Sequence, residues 1–427
     1  MVDLRPFQAL RPPHDLTARV SAPPYDVMDV EEARVMAAGN PDSFLHVSRP
    51  EIDLPADVDP HAPQVYAQGR RALLDFTARG VLLRDRAPGY LIYRQTWRGR
   101  RQTGVVGCAC VADYVSGVIR THEHTRPDKE NDRVRHIDAL ATQDEPVFLL
   151  SPRSDDVEAV VASLAAGAPT EDFTSDDGVG HTLWTVDAAE QVAALRAGFA
   201  DVPRLYVADG HHRSAAAVAV HRLRAQRDLQ APDDAGSAGP AGAGVDERED
   251  AAFLSVVFPA DQVRILAYNR VVADLAGRTP DQLLAALNDD FEVTTNGAEA
   301  VEPDRRHDVG LYLAGRWYRL RAREGVVDEG DPIGRLDVTL LQDRVLAALL
   351  GVDDPRTDAR VRFVGGIRGT AELERLVDAG TAAVAFGLYP TSVDELLAVA
   401  DAGAVMPPKS TWFEPKLRSG LFLHPLA

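Results

Sequence analysis

The sequence predicts an α+β fold rather than a doubly wound sheet. Two observations carry that expectation: strands arrive in hairpin pairs as well as ahead of helices, and the order mixes these patterns instead of repeating strand–helix–strand. A third sets the scale, since 427 residues with 45% hydrophobic content can bury a large core in two or three domains.

Taken in order, residues 65–79 place Val65, Leu73 and Phe76 at helical spacing. Residues 90–96 and 103–111 read as strands joined by a turn around Arg98-Gly99-Arg100, a hairpin. Residues 147–150 form a short buried strand, 188–199 a helix, 205–207 a strand and 214–227 an Ala-rich helix. A strand pair is expected near 253–258 and 263–268, then a helix over 280–287 with Thr279 as its cap. Strands follow near 309–313 and 317–321, and 336–350 is helical. A final α/β portion has strands at 362–364 and 382–388 and helices at 371–378 and 393–402.

The clearest break is Pro232 to Asp250, rich in Ala, Gly, Pro and acid and without periodicity, so it offers nothing to bury. We therefore expect an N-terminal α+β region over 1–231, a flexible insertion over 232–250, and a C-terminal α/β region over 251–427 packed on the same core.

Composition excludes some function classes. The net charge is −19, with 65 acids against 46 bases, which disfavours stable binding to a nucleic-acid backbone. A small anionic ligand is compatible, because a few arginines in a pocket suffice. No apolar run approaches the roughly 18 residues a membrane span needs, and the start lacks the pattern of a signal peptide. Only two cysteines occur, Cys108 and Cys110, alternating on a strand and read as small buried residues. The expected compartment is the cytoplasm.

The densest chemistry is Asp209-Gly210-His211-His212-Arg213, between a short apolar strand and a helix. Free N–H groups at a helix N-terminus, with the helix dipole, favour an anion there. Gly210 permits a tight turn and close backbone approach. Arg213 can grip two phosphate oxygens, the two imidazoles can donate to phosphate or move protons, and Asp209 can hold Mg²⁺ or accept a hydroxyl proton. The blander reading makes Asp209 a helix cap.

Several runs together resemble the bacterial and archaeal family called domain of unknown function 1015. They are Pro23-Pro24-Tyr25-Asp26-Val27, Phe44-Leu45-His46-Val47 through Arg49-Pro50-Glu51, the charged run His122 to Glu130, the Asp209–Arg213 motif, Asn269-Arg270-Val271-Val272, and Met406-Pro407-Pro408-Lys409-Ser410-Thr411-Trp412-Phe413. The turn itself, with Gly210, Arg213 and the small pair Ala215-Ala216, is similar to the phosphate motif of the ParB/sulfiredoxin superfamily, which includes free-serine kinases. That resemblance implies a ParB/sulfiredoxin-like core with additional α/β segments and a nucleotide, ATP or ADP, as phosphate donor. His211 stands where sulfiredoxins carry their catalytic cysteine, which disfavours sulfinic-acid repair. The acidic charge and the lack of an evident helix-turn-helix disfavour partition-type DNA binding.

Other segments add candidates. In the charged run, Glu123, Arg126 and Lys129 supply a base and phosphate clamps, with His136 further along. Lys409, in a rigid Pro-Pro loop, is a candidate phosphate contact. Tyr25 and Asp26 are possible base or substrate contacts, and His46, Arg49 and Glu51 divide between a pocket role and local pairing. Residues 364–369 are glycine-rich but lack the Lys-Ser/Thr ending of a Walker loop. The expected function is a nucleotide-dependent phosphotransferase for a small hydroxylated metabolite, with Asp209, His211, His212 and Glu123 catalytic and Mg²⁺ on Asp209. Gly210, Arg213, Arg126, Lys129 and Lys409 would bind the nucleotide phosphates. The alternatives are a metal-dependent phosphohydrolase, with His122 and His124 joining His211 and His212 as ligands, and a nucleotide sensor without turnover.

Overall fold

The computed structural model describes residues 1–230 and 247–426. Most of the expected insertion, residues 232–246, lies outside the described residues; its end, Glu249–Ala251, is a 3-10 turn. The fold is mixed α+β. It forms two compact units, Met1–Gln262 with Pro415–Ala427, and Val263–Glu414.

This division differs from the expected break at residue 250. The strand Ala252–Pro259 fills the middle of the first unit's sheet, parallel to Val147–Ser151 and antiparallel to Arg100–Cys110. The C-terminal tail also returns to the first unit. The text near 263–268 pairs elsewhere than expected: Arg264–Leu266 joins Trp412–Glu414, and Tyr268–Val272 belongs to the second sheet. Periodicity finds strands but says nothing of their partners.

In the first unit, the described strands make a nine-stranded mixed sheet. Its order runs Ile119–Arg120, Leu205–Asp209, Val147–Ser151, Ala252–Pro259, Arg100–Cys110, Tyr90–Trp97, Gly180–Val186, Glu171–Thr174, with Leu4–Arg5 also on Arg100–Cys110. The expected hairpin turns at Arg98 and Gly99, both at positive φ (49° and 75°), the conformation that matches strand twist in a two-residue turn. The core packs Val105, Leu149, Leu195, Phe199, Val207 and Phe253 against one another.

One topological detail positions the site. Leu205–Asp209 runs parallel to Ile119–Arg120 and antiparallel to Val147–Ser151. The chain leaving Arg120, the chain leaving Asp209 and the chain entering Val147 therefore all meet at one sheet edge. A bulge between Val207 and Asp209 shifts the register just before the motif, the device by which strands re-aim a terminal side chain.

The charged run divides into a loop over 122–126 and the start of a helix. Pro127–Leu140 is a helix with Pro at its first position, burying Arg133, His136, Ile137 and Leu140. It was obscured because two of the four inward positions are polar. It packs through Ile137 and Val134 on Ala216 and Val220 of the helix His211–Gln230, where small residues permit close approach.

The second unit has a six-stranded antiparallel sheet in the order Phe291–Gly297, Arg316–Ala322, Asp308–Leu313, Val384–Leu388, Tyr268–Val272, Val361–Gly365. Val271, Trp317, Leu373 and Ala385 form its core. Thr279 caps Pro280–Leu287 through a capping box, as its sequence predicts. The expected helical run 336–350 is α-helical over Asp337–Leu341 and widens to π turns over Gln342–Ala347. Among the described residues no helix is long and apolar enough to cross a membrane.

Candidate functional site

The helix after the apolar strand begins at His211, three residues earlier than expected. Ser214 N–H donates to Gly210 O at 2.9 Å and closes the first turn, so His211, His212 and Arg213 are that turn. Gly210 has φ +93°, and a Cβ there would lie 3.0 Å from Arg213 Nε. Only glycine meets both demands without strain.

The charged loop lies directly on this turn. His122 N–H donates to His211 Nε2 at 3.5 Å, and Arg126 N–H donates to His212 Nε2 at 3.0 Å. Both Nε2 atoms are acceptors, so each neutral ring carries its proton on Nδ1. Glu123 Oε2 stands 3.7 Å from His211 Nδ1 and helps set that tautomer. The Glu123 side chain and the Arg126 backbone thus lie against the first turn at His211 and His212, where the parallel strand pairing delivers the loop.

Burial fixes the charge of the histidines. It drives His211 well below its ordinary value, with His122 adding to the effect, and takes His122 down to about 4. Burial lowers His212 as well. At neutral pH these rings are neutral and not cations. His122 is buried with both ring nitrogens lacking a hydrogen-bond partner, and it meets His211 edge to face at 4.5 Å between centroids.

Arg213 is turned inward. It is 6% exposed, donates from Nη1 to Pro146 O, and places Nη2 3.7 Å from Asp209 Oδ1 and 4.0 Å from Asp26 Oδ2. The direct two-oxygen phosphate grip expected of it does not fit this orientation. The packed guanidinium holds the turn and its carboxylates in place.

Asp209 is likewise engaged. Its Oδ1 accepts Gly210 N–H at 2.8 Å, and its Oδ2 accepts Lys416 Nζ at 2.9 Å. Burial would raise its pKa, but Lys416 and Arg213 outweigh that and hold the carboxyl well below the usual range. A carboxylate so stabilised in its charged form is a weak proton acceptor. Glu123, with a 45% exposed side chain facing His211, is the better-placed base.

Behind the turn sits Glu145, which composition did not single out. Its Oε1 accepts Tyr25 N–H (2.9 Å) and Ser419 Oγ–H (2.7 Å), while Oε2 is buried without a hydrogen-bond partner. Burial raises its pKa to about 7 against the pull of Arg213. A cavity of about 10 Å³, at the lower edge of what one water needs, lies among Arg133, Asp144, Glu145 and Arg213. The Tyr25–Asp26 turn packs against the same residues: Arg133 stacks on the Tyr25 ring at 4.0 Å, and Arg49 Nη1 donates to Tyr25 O at 2.6 Å. Arg49 also pairs with Glu51 and His46 with Asp53, so local pairing accounts for that trio.

The remaining candidates separate. Arg126 is exposed and pairs with Asp128, and Lys129 is exposed in the first turn of the helix Pro127–Leu140. His136 is buried against Asp144 at 3.0 Å, a packing role. Lys409 belongs to the second unit, where its carbonyl accepts from Arg270 and its ammonium lies 5.6 Å from the Tyr268 centroid. The glycines at 365 and 366 answer to crowding, since a Cβ would lie 2.7 Å from the Trp412 ring and 2.6 Å from Ala267 O respectively. Among the described residues no group of three or more His, Cys, Asp or Glu is arranged to hold a metal, so the four-histidine set does not assemble. Cys108 and Cys110 are buried free thiols.

Lys416 and Glu145 escaped the sequence. Lys416 reaches Asp209 across 207 residues, a distance no local motif spans. Glu145 is marked only by its burial.

Fold and site define a mixed α+β protein with a buried histidine–arginine cluster at a strand-to-helix turn. The chain belongs to the family described as "Protein of unknown function (DUF1015)", whose model matches residues 4–339. No curated protein matches it significantly. Among solved structures it is similar to a free serine kinase in complex with AMP, at 12% identity and TM-score 0.34 over 73% of this chain and 86% of that one. It is also similar to a C-terminally truncated SbnI from Staphylococcus aureus, at 12%, TM-score 0.36, over 74% and 85%. A conserved hypothetical protein from Pyrococcus furiosus matches at 12%, TM-score 0.33, over 74% and 93%.

Proposed function

We propose that this chain is a nucleotide-dependent phosphotransferase for a small hydroxylated metabolite, with a ParB/sulfiredoxin-like core around the strand-to-helix turn. The supporting observation is the meeting, at one sheet edge, of a helix's first turn, the charged loop Glu123–Arg126 and two carboxylates. In this reading the nucleotide phosphates lie against the N–H groups of His211 and its neighbours, where the helix dipole favours anions. Arg126 and Lys129 offset phosphate charge. His211 donates from Nδ1, and Arg213 positions the turn.

Glu123 accepts the proton of the substrate hydroxyl. The hydroxyl oxygen then bonds to the terminal phosphorus of ATP or ADP, and the P–O bond to the leaving nucleotide breaks. Mg²⁺ needs only one or two protein carboxylates when it arrives with a nucleotide; Asp209, kept ionised, suits that, and the ion would supply charge neutralisation.

The test is ³¹P NMR of the protein with ATP, and separately ADP, Mg²⁺ and hydroxylated metabolites beginning with L-serine. A new phosphomonoester that depends on protein and acceptor is the expected result. Nucleotide binding without product would make the protein a sensor. Acceptor-independent orthophosphate that a chelator abolishes would make it a hydrolase.

A further inference from the structure

We infer that Lys416, brought to the site by the C-terminal tail, contacts the bound phosphate directly and does not serve only as a partner for Asp209. The inference rests on the phosphate-site reading above and adds a residue to it from outside every motif.

The tail's register is fixed independently of the lysine side chain. Gln95 Nε2 donates to Lys416 O at 2.8 Å, and Gln95 is itself fully buried and held by Gln102 at 2.8 Å. Ser419 and Ala22 exchange backbone hydrogen bonds of 2.9 and 3.1 Å, and Ser419 Oγ donates to Glu145. Arg418 donates to Ser21 Oγ at 3.1 Å. With the tail held this way, Lys416 is delivered to the Asp209 carboxylate, but the register itself gives no reason for the part of its side chain that stays exposed.

The electrostatics do give one. Four carboxylates, Asp26, Glu123, Glu145 and Asp209, gather around the turn. Arg213 answers them from the buried side, with 7% of its side chain exposed, whereas the Lys416 side chain is 21% exposed. A phosphate approaching that corner meets these carboxyl groups unless cations stand on the accessible side, where Lys416 joins the exposed Arg126. An ammonium has three N–H groups, so Lys416 can keep Asp209 and also reach an anionic oxygen. Independently, His122 points to a ligand at the same helix start: it is 2% exposed, packed on His211, and both its ring nitrogens lack a partner.

The experiment is calorimetric titration of ADP, at constant Mg²⁺, into the parent, Lys416→Met, Asp209→Asn and the double variant. Lys416→Met should weaken ADP about tenfold or more, the weight of one charge-assisted contact, and by a similar factor in the Asp209→Asn background. Lys416→Arg should recover part of the loss. An unchanged ADP affinity overturns the inference, and so does a loss that vanishes once Asp209 is Asn, since Lys416 would then act only through Asp209. If Lys416→Met melts well below the parent, Lys416→Gln carries the same comparison. A parent that binds neither ADP nor pyrophosphate removes the phosphate-site reading itself, a result distinct from a normal parent with an indifferent lysine variant.

Discussion

His122 and His211 stand edge to face, 4.5 Å between ring centroids, at the start of the helix that carries the motif. Two buried neutral imidazoles in contact give the site a signature in acid. The folded His122 titrates near 4 against an ordinary 6.5, so between those values the unfolded chain binds more protons. Its contribution is present above pH 6.5 and is lost as pH falls toward 4, roughly 3 kcal/mol in all. Urea unfolding across that window should show this loss, and His122→Phe should flatten it. An equal slope in the variant would mean that the acid limb arises elsewhere.

Glu145 acts with the opposite sign. Burial lifts its folded value to about 7 from an ordinary 4.5, so the folded chain binds more protons between them. That contribution is present below pH 4.5 and is lost as pH rises through 7. Glu145→Gln keeps an oxygen to accept Tyr25 N–H and Ser419 Oγ–H, and removes the titration. The variant should gain stability relative to the parent as pH rises from 5 to 7.5, read as a growing difference in urea midpoint.

Arg213→Lys should not be the mild change its charge suggests. The guanidinium donates to Pro146 O and faces Asp209 and Asp26 from a buried position. An ammonium cannot reproduce that fork, and we expect a loss of about 1–3 kcal/mol in stability together with weaker ADP binding. A melting temperature equal to the parent's would show that the inward contacts carry no weight.

Arg126→Ala is the complementary case. The side chain is 70% exposed and pairs at the surface with Asp128, so stability should change by less than about 0.5 kcal/mol. ADP affinity should nonetheless drop about tenfold if the side chain meets phosphate. Parental affinity would return Arg126 to a backbone role, its N–H on His212 Nε2.

The motif strand was legible because Leu205, Tyr206, Val207 and Ala208 are all buried, and a strand covered on both faces reads as an unbroken apolar run. The hairpin at Arg98-Gly99 was legible from its turn chemistry. The helix Pro127–Leu140 was not, because Arg133 and His136 take inward positions where a periodic pattern expects apolar residues. Glu123 and Arg126 were found from the chemistry of the charged run and the family resemblance it carries, and only the parallel pairing of Ile119–Arg120 with Leu205–Asp209 explains why they meet the motif. Sequence offered Lys409 as the C-terminal cation. The structure adds Lys416, seven residues later in the same stretch, because the tail from Pro415 belongs to the first unit.

The central claim is that the turn at Asp209–Arg213 receives the phosphates of a nucleotide. The most direct measurement is calorimetric titration of ADP with Mg²⁺ into the intact chain, repeated with pyrophosphate present. The account predicts one ADP per chain with a Kd below about 1 mM, competition by pyrophosphate, and weaker binding in Arg126→Ala and Lys416→Met. No saturable heat at millimolar ADP would contradict it, as would ADP binding indifferent to pyrophosphate and to both substitutions.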